Sequence, residues 1–307
     1  MKGLELAERY YEEVGLPTLT RAFPELMPRM AFGLCGEGSE CLGYDDDLSR
    51  DHDFGPSFCI WMSDEDFANY GLQVRRAYSW LPQEFLGYHG RSVTEQGGGR
   101  VGAMRISDFY RKFTGCPAGP QTNLEWLRVP EHLLAQAVSG RVFRDDAGTF
   151  TGIRAQLLAF YPEEVRWKKM AARAVTMAQA GQYNYPRSIK RGEDGAAYFA
   201  LREFLMAAFS MAHLLEKRYM PYYKWAHRSF EEGNLLAEHR EDIRQMMARP
   251  LDRANAQRAE DICHSIRLAW QSQGLTRLDE DFLEPQGWEL YRRITDPDLR
   301  ARHIMDG

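Results

Sequence analysis

The chain has 307 residues, 44% hydrophobic and 12% aromatic, with 39 basic and 44 acidic side chains and a formal net charge of −5. That content excludes a disordered polymer, which has few aromatics and low hydrophobicity, and the mild acidity excludes a chain that binds nucleic acid by bulk charge. Cys35, Cys41, Cys59, Cys116 and Cys263 are odd in number and hold no C-x-x-C pair, and the N-terminal string MKGLELAERYYEEVG has acids where a signal peptide needs an apolar run. A reducing, cytoplasmic location follows as the expectation, with no disulfide framework and no membrane span.

In chain order, residues 3–14 predict a helix with Leu4, Leu6, Ala7, Tyr10, Tyr11 and Val14 near helical spacing, ended by Pro17. Arg29 to Cys35 is a short apolar run that predicts a strand, stopped by the turn Gly36-Glu37-Gly38-Ser39. Asp53 to Met62 predicts a second, buried strand whose start is disturbed by Pro56. Residues 63–79 predict a helix with Ser63 as N-cap. Gly97-Gly98-Gly99 reads as a loop, Val101 to Ile106 as a third strand and residues 140–146 as a fourth.

From Pro162 onward strand signals vanish, and helices are predicted over 162–181, 194–220, 231–248 and 251–273, with breaks at Pro186, Pro221 and Pro250. The predicted fold class is α+β: a domain over 1–150 with a mixed sheet and helices, then an all-helical domain over 151–307. Charge divides the same way: residues 1–60 carry 5 − 12 = −7, and residues 161–228 carry 12 − 6 = +6. One half suits metal ions and the other an anion, although such asymmetry also serves domain docking.

Chemistry concentrates in Gly36 to Pro56, GEGSECLGYDDDLSRDHDFGP. A glycine-rich turn exposes backbone N–H groups to phosphate oxygens, and the small Ser39 adds a hydroxyl. Asp51 and Asp53 are two apart, so on an extended segment both carboxylates face one way. Such a pair can hold Mg²⁺, which takes hard oxygen ligands from one or two carboxylates plus substrate phosphates. His52 between them faces the other way and reads as structural. A Walker A loop fails because Glu40 follows Ser39, and an EF-hand fails because Arg50 and Pro56 stand at its glycine and glutamate positions. The competing reading is a solvated acidic loop.

Strand, Gly-Ser, spacer and Asp-x-Asp resemble the signature of the polymerase-β-like nucleotidyltransferase superfamily. The longer string GSECLGYDDDLSRDHDFGP resembles an uncharacterised bacterial family within it, known as a domain of unknown function. So do GRVFRDDAGTFTGIRAQLLAFYP (140–162) and YMPYYKW (219–225), so the resemblance covers most of 30–230. It implies that Gly38 and Ser39 contact nucleotide phosphates and that Asp51 and Asp53 bind metal. It also implies a third carboxylate on a later strand. Gly102 and Ala103 stand where that acid belongs, which leaves Asp108, Glu84 or Glu95 as substitutes.

Nucleotidyltransferases of this kind often add a helical domain that closes the cleft. In the second half, Arg187, Lys190 and Arg191 cluster around Pro186, and Lys224 lies among tyrosines; either group suits a triphosphate, and each also suits an exposed basic surface. Tyr222, Tyr223 and Trp225 read as core, as do Phe204, Met206, Phe209 and Met211. His213, His227, His239 and His264 read as structural.

The sequence therefore predicts Mg²⁺-dependent transfer of a nucleoside monophosphate, AMP from ATP, to a hydroxyl of a small-molecule or protein acceptor. The acidic net charge argues against a nucleic-acid acceptor. The alternative is a non-catalytic nucleotide-binding regulatory module that acts with a partner protein, and a third reading is a structural protein with an inert acidic loop.

Overall fold

The computed structural model describes residues 1–48, 54–91 and 99–307, which are α+β. The chain divides into two compact units, one of residues 1–121 and 133–159, the other of 122–132 and 160–307.

In the first unit, α1 (Gly3–Tyr10) and α2 (Leu16–Ala22) precede β1 (Ala31–Leu34) and the single turn α3 (Ser39–Leu42). Then come β2 (Cys59–Met62), α4 (Asp64–Ser79), the hairpin β3 (Glu84–Phe85) and β4 (Tyr88–His89), β5 (Gly102–Arg105) and α5 (Ile106–Thr114). α6 (Asn123–Arg128) and the start of α7 (Glu131–Val138) fall within residues 122–132 of the second unit, and the first unit closes with β6 (Arg141–Asp145) and α8 (Thr149–Leu158). The main sheet has the order β5-β2-β1-β6; β1 is antiparallel to both neighbours, and β2 and β5 are parallel.

Every residue of β1 and β2 is buried. Such runs are continuous rather than alternating because helices cover both faces of the sheet. Ile60 belongs to a core with Tyr10, Tyr11, Leu19, Phe32, Phe58 and Val74. Its neighbour Trp61 points the other way, stacking on Phe150 at 3.9 Å and meeting Phe109 edge-on at 5.5 Å.

The four predicted strands form, each shorter than its apolar run. β2 begins at Cys59, so Pro56 precedes the strand rather than bulging it. The helix at 63–79 forms as expected, with the Ser63 hydroxyl accepting from the Asp66 N–H at 3.0 Å. Ser63→Ala removes that cap and should lower stability by about 1 kcal/mol in urea denaturation.

Two prolines depart from expectation. Pro17 does not end the first helix: a π turn over Tyr11–Gly15 joins α1 to α2, and Pro17 sits in the first turn of α2. The second unit repeats the device. Its helix α9 (Glu163–Met177) passes through a π turn over Ala178–Asn184 into α10 (Tyr185–Arg191), with Pro186 in the first turn. A widened turn shifts the hydrogen-bond ladder, so a proline just after it lacks only a donor that is not needed there.

The second unit continues with α11 (Asp194–Leu215), α12 (Tyr223–Glu231), α13 (Arg240–Ala248) and α14 (Asn255–Ser272). It ends with α15 (Leu283–Arg292) and α16 (Pro297–Arg300). The predicted helix over 231–248 starts only at Arg240, because Glu216 accepts from the N–H groups of Asn234 and Leu235 at 2.5 and 2.7 Å and holds that stretch as a turn. Phe204, Phe209 and Met211 are core as expected, whereas Met206 is half-buried at a cavity wall. Among the described residues no helix is long and apolar enough to cross a membrane.

Candidate functional site

Antiparallel neighbours bring the carboxyl end of one strand beside the amino end of the next. Gly33 pairs with Cys59, Cys59 with Gly102 and Leu34 with Arg141, so the exit of β1 and the entries of β2, β5 and β6 share one end of the sheet. The segment Gly36 to Ser39 leaves β1 at that end. The Ser139 hydroxyl donates to the Gly36 carbonyl at 2.7 Å, and the Gly140 N–H to the Cys41 carbonyl at 2.8 Å.

Gly38 has φ 116° and ψ 146°, a region that side chains avoid. A Cβ there would stand 2.4 Å from the Glu40 carboxylate and 2.6 Å from the Arg100 guanidinium. Ser39 opens α3, half-buried, and its carbonyl accepts the Tyr44 N–H at 2.8 Å.

Three cations clamp this turn. Arg91 Nη2 donates to Glu40 Oε1 at 2.7 Å while its Nε donates to the Ser57 hydroxyl at 2.6 Å. Arg100 donates to the Glu37 carbonyl and stands 3.8 Å from the Glu37 carboxylate. Lys112 Nζ reaches the same carboxylate at 2.8 Å from α5. Beside them is a cavity of about 230 Å³ lined by Arg75, Arg91, Arg100 and Lys112 against two carboxylates, Glu37 and Asp108. Arg75 enters from α4, its Nε donating to the Ala103 carbonyl at 3.0 Å. Cys35 lines the same cavity, and burial pushes its thiol up to about 12, so it stays neutral at physiological pH.

Gly38 and Ser39 therefore lie next to a cavity where, among the described residues, four cations face two carboxylates, which suits a polyphosphate. Asp51 and Asp53, the expected metal ligands, lie outside the described residues, as do His52 and Glu95. Among the described residues no three His, Cys, Asp or Glu side chains gather as a metal site. The donor set of the described residues thus fits nucleotide phosphates and offers no cluster of hard ligands for Mg²⁺. Phe54, next in sequence after Asp53, packs with Glu40 against Gly3: a Cβ on Gly3 would lie 3.4 Å from the Phe54 ring and 2.6 Å from Glu40 Cβ.

The acidic run is divided. Asp45 is buried and accepts the Gly3 N–H at 2.9 Å, which makes it an anchor for the first helix, while Asp46 and Asp47 are exposed. Of the substitutes for a third carboxylate, Glu84 is exposed in β3, and Asp108 lines the cavity but pairs with Arg105 at 3.5 Å and Arg111 at 3.0 Å. Gly102 and Ala103 are both buried in β5.

Arg187, Lys190 and Lys224 belong to the second unit and are exposed. Arg187 and Lys190 share one face of α10, with Arg187 over the Tyr183 ring at 4.6 Å; Lys224 opens α12 with Nζ 5.1 Å from the Trp225 ring centroid. Tyr222 and Tyr223 were expected in the core, yet they are 43% and 63% exposed, because they open a short helix whose buried side is Ala226, Ser229 and Phe230. His213 is buried between the Phe209 carbonyl at 2.7 Å and the Ser229 hydroxyl at 2.9 Å.

Sequence reasoning passed over the cavity cations, Arg75, Arg91, Arg100 and Lys112. The one available signal was the pair Arg91 and Arg100 flanking the Gly97–Gly99 run.

No curated protein and no solved structure matches the chain. A family model described as a domain of unknown function (DUF4037) matches residues 126–226, a span that takes in the strings at 140–162 and 219–225 and leaves out Gly38 and Ser39.

Proposed function

We infer that the chain is an Mg²⁺-dependent nucleotidyltransferase that moves AMP from ATP to a hydroxyl of a small-molecule or protein acceptor. The observation that carries this reading is the Glu37–Glu40 turn at the exit of β1, set beside a cavity ringed by four cations. Further support comes from the resemblance of residues 38–56 to polymerase-β-like nucleotidyltransferases. The acceptor oxygen attacks the α-phosphorus, the bond to the β-phosphate oxygen breaks, pyrophosphate leaves and the hydroxyl proton passes to a base. Arg75, Arg91, Arg100 and Lys112 orient the triphosphate and offset the charge that builds on the leaving group. Asp51 and Asp53 would hold the metal, which supplies further neutralisation of the phosphates.

A second reading, nucleotide binding without turnover, is favoured by one observation: β5 carries Gly102 and Ala103 and no acid. One experiment separates the two. The protein is incubated with α-labelled ATP, Mg²⁺ and cell extract. Transfer reads out as labelled acceptor, lost by about 100-fold or more in Asp51→Asn/Asp53→Asn. Saturable ATP binding with no labelled product supports the binding module. Labelling unchanged in the double variant would remove both aspartates from the mechanism.

A further inference from the structure

The helical unit contains its own polar centre inside an apolar wall. A cavity of about 430 Å³ is bounded there by Glu131, Lys169 and Arg173, with Met206, Met220 and Pro221 among its apolar walls. That volume suits a small metabolite. All of these residues fall within the 126–226 family match.

The three ionisable groups are unevenly satisfied. Glu131 is buried, and its Oε1 accepts from the Ser210 hydroxyl at 2.7 Å and from Arg173 Nη2 at 3.0 Å. Its Oε2 is buried and, among the described residues, has no hydrogen-bond partner. Arg173 is held further by the Ser210 hydroxyl at 2.8 Å and the Gly307 carbonyl at 3.1 Å. Lys169 is 3% exposed and, among the described residues, makes one long hydrogen bond, to the Leu127 carbonyl at 3.3 Å, and lies 5.2 Å from the Tyr161 ring centroid, although an ammonium has three N–H donors. Burial lowers its pKa to about 8, against the pull of the Glu131 carboxylate.

A buried acceptor and a buried ammonium left short of partners are each costly, and native proteins leave few of them. Here both border one cavity, and Arg173 is already engaged by Glu131 and Gly307. An anionic group answers Lys169; a hydroxyl or amino donor answers Glu131 Oε2; an apolar body answers the walls.

We propose that this cavity binds a small hydroxy- or amino-carboxylic acid with an apolar body, its carboxylate on Lys169 and its donor group on Glu131. The assignment rests on the second unit alone and stands or falls apart from nucleotide transfer.

The test is calorimetric titration of the full chain with four probes that share a phenyl body. L-phenyllactate and L-phenylalanine carry both groups, 3-phenylpropionate the acid alone and 2-phenylethanol the hydroxyl alone. At least one bifunctional acid should bind at a single site, with each single-group probe at least about tenfold weaker, a factor of about 1.4 kcal/mol. Lys169→Met should erase the advantage conferred by the carboxylate and Glu131→Gln that conferred by the donor. Met220→Trp fills the cavity from its wall, leaves the polar centre intact and should abolish binding even if a polar variant fails to fold. Absence of saturable binding by all four probes overturns the proposal and leaves fixed water as the partner of Lys169 and Glu131. Binding unchanged in Met220→Trp overturns it as well.

Discussion

Arg91→Met should lower the unfolding free energy by about 3 kcal/mol, because it removes the close counter-ion of the buried Glu40 carboxylate and leaves only Arg100, at 3.9 Å. The side chains of Arg91 and Glu40 are only 7% and 8% exposed, so water cannot take over the lost contact. The pair is also the brace of the turn that follows β1: Arg91 joins Glu40 of α3 to Ser57 at the entry of β2. Urea denaturation of the two single variants and of Arg91→Met/Glu40→Met checks the assignment. Removal of both charges should recover much of the loss, since a buried ion pair and a well-packed apolar pair differ little in net stability. A single variant within about 0.5 kcal/mol of wild type, the range of ordinary surface substitutions, would show that the pair is solvated and does not organise the turn.

Gly38→Ala should cost about 3 kcal/mol or more and should weaken ATP binding at least tenfold. Two effects coincide there. The backbone lies in a region that is essentially glycine-only, a strain of about 1–3 kcal/mol, and the added carbon meets the Glu40 carboxylate and the Arg100 guanidinium. Relief of that clash requires displacement of the side chains that line or brace the cavity. Gly43→Ala is the control. Its φ is also positive, at 75°, but a Cβ there meets nothing within 4 Å among the described residues, so it should cost only about 1–2 kcal/mol and leave ATP binding unchanged. Equal effects at the two positions would mean that the close packing at Gly38 has no bearing on the site.

The sheet was legible because β1 and β2 are buried on both faces and so read as unbroken apolar runs bounded by Gly36 and Ser63. The helix at 63–79 carried its own start signal in Ser63. Pro17 and Pro186 misled, since a proline reads as a stop unless the turn before it is widened, and nothing in the composition of Tyr11–Gly15 or Ala178–Asn184 marks a π turn. Helices α5 and α8 were missed because their aromatic faces, Phe109, Phe113 and Phe150, make sense only against Trp61 across the sheet.

The glycine-serine turn was legible as a motif, while the cavity beside it was not. Arg75, Arg91, Arg100 and Lys112 are separated by 16, 9 and 12 positions and converge only through the parallel pairing of β2 with β5 and the helices on either side of β5. Glu131, Lys169 and Arg173 were invisible for the same reason: each reads as an ordinary charge on a helix until packing removes it from water. Local spacing reports what lies on one element, and both polar centres are assembled from several.

The most direct measurement is calorimetric titration of the full chain with Mg²⁺ and a non-hydrolysable ATP analogue, in wild type and in Arg75→Ala and Lys112→Ala. Both residues line the cavity from exposed positions on α4 and α5, so the variants should keep their fold, confirmed by unchanged thermal unfolding. One-site binding in wild type, weakened about tenfold by each substitution, a loss of about 1.4 kcal/mol, is the expected result. Binding indifferent to both substitutions, or none in wild type, would contradict a triphosphate site at the exit of β1.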